Sequence, residues 1–189
     1  MANITWKTRA GLTAAQVSAI ETVQTAVVDY INGFLARPIS WDVQLSVDAA
    51  LGDQTVAAAS LYVTYGWMSG NKNIYCSFGQ YQAMTGVERT GYDATLTLNP
   101  TFVDRLYWDP APRPGGSVPA GKIDGFSALL HETMHSLVFQ GWTGADGLNA
   151  GTTSTLYDAA VVVKNGSPVL RGTNAGAVYG GDVPLNRGG

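Results

Sequence analysis

The segment GFSALLHETMHSLVFQGW, residues 125 to 142, holds both histidines of the chain, His131 and His135, with Glu132 beside the first. Four residues of helix advance about 6 Å along the axis and bring two side chains nearly into line. Two imidazole nitrogens from consecutive turns can therefore grip one ion. Glu132 is turned by about 100° from His131, so it does not join them as a ligand but can reach a water on the same ion. Zinc suits such a set, because it takes N and O donors in a tetrahedron and lowers the pKa of its bound water towards about 7. Glu132 would accept that water's proton during attack on a carbonyl and pass it to the leaving amine. HETMH thus predicts a Zn2+ site and hydrolysis of peptide bonds. The plainer alternative is an amphipathic core helix whose histidines are simply packed or solvated.

Two histidines do not complete a zinc site. The compact continuation of HExxH places a Gly three residues on and a His or Asp six residues on; those positions here are Val138 and Gly141. Asp146, Asp158 and Asp182 are the downstream candidates. Asp158, in TLYDAAVVV, could be presented by a following helix. It could equally be an ordinary polar position or an acceptor for a histidine N–H. Asp146, in GWTGADG, fits a turn.

The elements that must position these residues can be read along the chain. Thr13 with Gln16 forms a capping box, and Ile20, Val23, Val27, Ile31 and Phe34 recur at helical spacing, so residues 13 to 36 predict one helix ended by Arg37-Pro38. SWDVQLSVD alternates Trp41, Val43, Leu45 and Val47 with polar residues and predicts a half-buried strand. QTVAAASLYVTYGWM is ambiguous in its Ala run and strand-like after Leu61. SFGQYQAMTG predicts a short helix ended by Gly86, and YDATLTLNP predicts a strand with Tyr92, Ala94, Leu96 and Leu98 inward. Residues 109 to 121, rich in Pro and Gly, predict a loop. The histidine helix is expected from about Asp124 to Phe139, with Ile123, Phe126, Leu130, Met134 and Leu137 as its apolar face. TLYDAAVVV suits helix or strand, Asn165-Gly166 suits a type I′ hairpin turn, and the last 18 residues predict loop. The order of elements predicts one α+β domain over residues 1–189 rather than a βαβ alternation.

Composition narrows the function classes. The net charge of −3, with 13% charged residues, argues against a phosphate-binding surface and hence against nucleic acid. No stretch is apolar long enough to span a bilayer. The start, MANITWKTRAGLT, lacks an apolar signal-peptide core. The single cysteine, Cys76, cannot form an internal disulfide, and its neighbours Ile74, Tyr75 and Phe78 predict a buried thiol. Abundant Gly, Ser, Thr and Asn with little Lys suggest a secreted protein. Phe102, Tyr107 and Trp108 predict core rather than cleft, and Tyr157 and Tyr179 are conceivable oxyanion donors.

LNPTFVDRLYWDPAPRPGGSVPAGKIDGFSALLHETMHSLVF resembles secreted bacterial HExxH metalloproteases of the leishmanolysin-like, metzincin-related sort. STLYDAAVVVKNGSPVLRGTNAGAVYGGDVPL is similar to their YD and G-x-N-A…G-G-x-V-P elements, so the likeness covers roughly residues 92 to 185. It implies a zincin fold: a small twisted sheet above the HExxH helix, with residues 13 to 36 as backing helix. It also implies zinc held by His131 and His135, Glu132 as the catalytic base, and a polypeptide substrate paired as an added strand with Thr95 to Asn99. The family's third histidine follows the G-G-x-V-P element, which places it past Gly189 and leads to the expectation of a catalytic domain ended before its third ligand, with Asp158 as the rival. Two further functions compete: a non-catalytic surface or assembly module descended from a protease, and a hydrolase of some non-peptide amide.

Overall fold

The computed structural model describes residues 2–52, 55–60, 63–111, 118–137, 139–142 and 151–185. In chain order they form β1 (Ala2–Trp6), α1 (Ala14–Asn32), β2 (Trp41–Val47), β3 (Ala57–Ser60), β4 (Val63–Ser69), β5 (Lys72–Ser77) and α2 (Phe78–Thr85). There follow β6 (Ala94–Leu98), α3 (Pro100–Val103), β7 (Leu106–Tyr107), β8 (Ile123–Asp124), α4 (Gly125–Leu137) and β9 (Thr153–Thr155). The last elements are α5 (Leu156–Ala160), β10 (Val161–Lys164), β11 (Ser167–Leu170), α6 (Thr173–Tyr179) and β12 (Val183–Pro184), with a 3₁₀ turn at Ala49–Leu51. The architecture is mixed α+β with several small sheets. The chain divides into two compact units, residues 1–62 with 77–137 and residues 63–76 with 138–189.

The first unit is built on a four-stranded sheet in the order β1-β2-β6-β3. β1 and β6 both run parallel to β2, and β3 runs antiparallel to β6. Parallel neighbours need a crossover, which α1 supplies between β1 and β2. The capping box is formed as its residues dictate: Thr13 Oγ1 accepts from Gln16 N at 3.2 Å and Thr13 N donates to Gln16 Oε1 at 2.7 Å. Ile20, Val23, Val27, Val28 and Ile31 of α1 are buried against Trp41, Val43, Leu45, Ala94, Leu96 and Leu98 of the sheet. Each such aliphatic side chain contributes about 1.5–3 kcal/mol by leaving water.

Two details of this unit differ from expectation. α1 ends at Asn32, so Phe34 falls outside the helix and is 73% exposed. Thr95 to Leu98, expected to pair with substrate, lie in β6, which pairs on both sides, and Asn99 caps α3; β3 is the terminal strand beside β6. The Ala run, open between helix and strand in the sequence, is the strand β3. The short helix α2 forms as expected, with Gly86 closing it at φ 78, a left-handed conformation that glycine adopts without steric cost.

In the second unit β4-β5-β9 and β10-β11-β12 form two three-stranded sheets. Lys164 pairs with Ser167 across the hairpin, and Asn165 and Gly166 take φ of 53 and 77 as a type I′ turn requires. TLYDAAVVV splits into α5 and then β10. The tail expected to be loop holds α6 and β12, and β12 pairs with β11. Cys76 is buried. Among the described residues no helix is long and apolar enough to cross a membrane.

Candidate metal centre

α4 begins where β7 and β8 pair in parallel, Leu106 with Ile123 and Tyr107 with Asp124. The pairing delivers Asp124 to the helix start, where its carboxylate accepts from Phe126 N at 3.1 Å and from Ser127 Oγ at 2.5 Å. A carboxylate there satisfies free N–H groups and favours the helix dipole. Gly125 is required by close packing: a Cβ would stand 2.7 Å from Trp108 Cε3 and 2.9 Å from Tyr107 O. Trp108 packs on the core and donates Nε1–H to Val103 O at 3.2 Å, and Phe102 is buried, so these aromatics belong to the interior as expected.

The face that α4 buries includes Phe126 and Leu137 as its apolar residues suggested, and is completed by Leu129, Thr133 and Ser136. Leu130 and Met134 are only partly covered. Thr133 is fully buried; its Oγ1 donates to Leu129 O at 2.7 Å and accepts from Gln24 Nε2 of α1 at 3.1 Å. Neither Gln24 nor Thr133 stood out in the sequence. The signal was present for Gln24, which falls on the α1 stripe between Ile20 and Val27.

On the opposite side of α4, His131 is exposed and His135 half-buried. Their Nε2 atoms converge to 3.0 Å with the rings nearly perpendicular at 88°. Two zinc–nitrogen bonds of about 2.0–2.1 Å at a tetrahedral angle span roughly 3.3 Å. The pair therefore fits a shared zinc ion after a small opening. Glu132 follows His131 on α4 and is half-buried. Two imidazole nitrogens are donors that zinc accepts.

The candidates for a third ligand fare differently. Asp158 is buried and acts as an anchor: both carboxylate oxygens accept from Trp142 N at 2.9 Å, and Oδ2 also accepts from Thr155 N at 2.9 Å. Its own N–H donates to Thr155 Oγ1 at 3.0 Å, closing the capping box of α5. Gly141 makes room for this anchor, since a Cβ there would stand 2.5 Å from Asp158 Oδ1. The position that a compact site would give to a ligand is thus occupied by a residue that cannot carry a side chain. Asp182 pairs with Lys164 at 3.0 Å and Arg171 at 3.3 Å, and those cations hold its carboxyl below the usual range. Asp146 and Val138 lie outside the described residues. Among the described residues no group of three or more His, Cys, Asp and Glu side chains comes together. Burial, and secondarily the Asp158 charge, pushes the Tyr157 phenol up.

One further buried carboxyl stands in the sheet. Asp93, just before β6, accepts from Asp42 N at 2.9 Å. Burial raises its pKa to about 6; the Asp42 N–H opposes the rise, and the charges of Asp42 and Glu88 add to it.

Compared with protein-family models, curated proteins and solved structures, the chain finds no match in any of the three.

Proposed function

We propose that this chain is a zincin-like zinc hydrolase, resembling leishmanolysin-like metalloproteases, that acts on extended polypeptide. The observation that carries the proposal is the convergence of His131 and His135 Nε2 at 3.0 Å on the outward face of a helix whose other face is buried. His131 and His135 are the residues that would hold Zn2+, and the ion would supply carbonyl polarisation and an acidified water. Glu132 takes and returns the proton: as a carboxylate on the same helix it accepts from water during attack and donates to the departing amine.

The surrounding sheet supports an extended substrate. α4 packs against β3 and β6, and β3 is the antiparallel terminal strand of the sheet. A peptide laid along β3 would gain main-chain hydrogen bonds as an added strand. That assignment replaces Thr95 to Asn99 with Ala57–Ser60 as the substrate-pairing strand. A secreted location fits the composition and belongs to the same proposal.

One observation favours a second reading, a non-catalytic module that keeps the helix. Asp158 is engaged with backbone N–H groups and no third donor joins the two histidines among the described residues. Glu132→Gln separates the two. For the hydrolase, cleavage of an unstructured polypeptide falls by about 10²–10⁴-fold and is abolished by chelator, while zinc binding is retained. Cleavage unaffected by chelator and by Glu132→Gln removes the zinc mechanism, and zinc binding without any cleavage favours the module.

A further inference from the structure

α1 and α4 meet through an interface that is apolar except at one point. Every buried residue of α1 is aliphatic apart from Gln24, which is fully buried, and its partner Thr133 is equally buried on α4. Apolar contact and the close fit of Gly125 against Trp108 and Tyr107 already oppose a large slide or rotation of α4. Apolar contact is non-directional, so it constrains small rotations of the helix least. The 3.1 Å bond from Gln24 Nε2 to Thr133 Oγ1 is directional and weakens when α4 turns.

Thr133 lies two residues from each histidine. Two residues of helix turn through about 200°, so His131 and His135 straddle the line opposite Thr133, each about 20° from it. Fixing Thr133 inward therefore aims both imidazoles outward. The bond also carries a structural burden: Gln24 Oε1 is buried without a hydrogen-bond partner among the described residues. Buried polar groups of this kind reduce stability and are best attested as devices that specify one packing arrangement.

We infer that Gln24 and Thr133 are positioning residues, locking the rotation of the histidine helix against α1 through their mutual hydrogen bond. The lock deepens the proposed zinc site only in saying what the histidines are aimed for; the packing claim stands without metal.

The test uses the full chain, metal-free and isotope-labelled, and reads the nitrogen and carbon-bound proton signals of the two imidazole rings by NMR, with circular dichroism alongside. Wild type and Thr133→Ser, which keeps the hydroxyl, should give one set of signals per ring. Thr133→Val, Gln24→Met and the double variant should each retain native circular dichroism yet give two or more sets, or lines at least twofold broader. Should Thr133→Val not fold, the double variant and Gln24→Met decide, because the first leaves no orphaned partner and the second leaves Thr133 bonded to Leu129 O. Single, wild-type-like ring signals in the folded variants would overturn the lock. A wild type that takes up no zinc but shows the split signals in the variants would sink the zinc proposal and leave the lock standing.

Discussion

The two histidines and Asp158 began as members of one expected ligand set, and their surroundings could hardly differ more. His131 and His135 face outward from α4 with their ring nitrogens converging on one point. Asp158 is turned inward, each oxygen accepting from Trp142 N and one also from Thr155 N. Both arrangements use residue types that bind metals. The imidazoles bring their Nε2 atoms together, whereas the Asp158 carboxylate is engaged by two backbone N–H groups, that of Thr155 buried and that of Trp142 part-buried. Spacing in a sequence does not reveal which of these arrangements a ligand-type residue adopts.

Substitutions can sharpen or break that contrast. The largest expected effect is at Asp158. Replacing it by Ala orphans the buried Thr155 N–H, removes the acceptor of the part-buried Trp142 N–H and takes away one half of the α5 capping box, so the second unit should lose about 3 kcal/mol, read by chemical denaturation. Zinc affinity should not change. An affinity lost with Asp158 at intact stability would return it to the ligand set.

Asp93 offers a buried carboxyl of a third kind, one held partly protonated. Its folded pKa, about 6, lies above its ordinary value of 3.8, so between those values the folded state binds more protons than the unfolded. Stability from this group is present below about pH 4 and declines as pH rises towards 6, by at most about 3 kcal/mol. Asp93→Asn keeps an acceptor for Asp42 N and should flatten that part of the stability–pH curve. A curve of unchanged slope would mean that Asp93 is ionised throughout.

Smaller effects test the supports. Gly141→Ala sets a Cβ against the Asp158 carboxylate and should cost about 1–3 kcal/mol; no loss would mean that the 139–142 segment can move aside. Thr13→Ala removes the α1 cap and should cost about 1 kcal/mol, measurable as a shift in the thermal midpoint with no change in metal binding.

Much of the fold could be read where the signal is local. The α1 box, the alternation of β2 and β6, the Gly86 stop and the Asn165-Gly166 turn each follow from a few adjacent residues. What escaped was set by long-range pairing or by polar residues in the core. Ala57–Ser60 has no alternation of its own and becomes a strand because β6 offers it an edge. The buried stripe of α4 runs through the polar residues Thr133 and Ser136 as well as Phe126 and Leu137, with Leu130 and Met134 only partly buried at its border. α6 and β12 hide in a Gly-rich tail whose shape comes from β11. For the candidate site, the pentapeptide showed which residues meet, and a third donor was not legible because Asp158 and Gly141 fit each other rather than a metal.

The most direct test is a titration of the metal-free chain with Zn2+ by calorimetry, in parallel with His131→Ala and His135→Ala. The account predicts saturable binding of one ion by the wild-type chain, weakened at least about tenfold, or about 1.4 kcal/mol, by either substitution, with the thermal midpoint of the metal-free protein unmoved. Absence of saturable binding, or binding that survives the loss of both imidazoles, would contradict it.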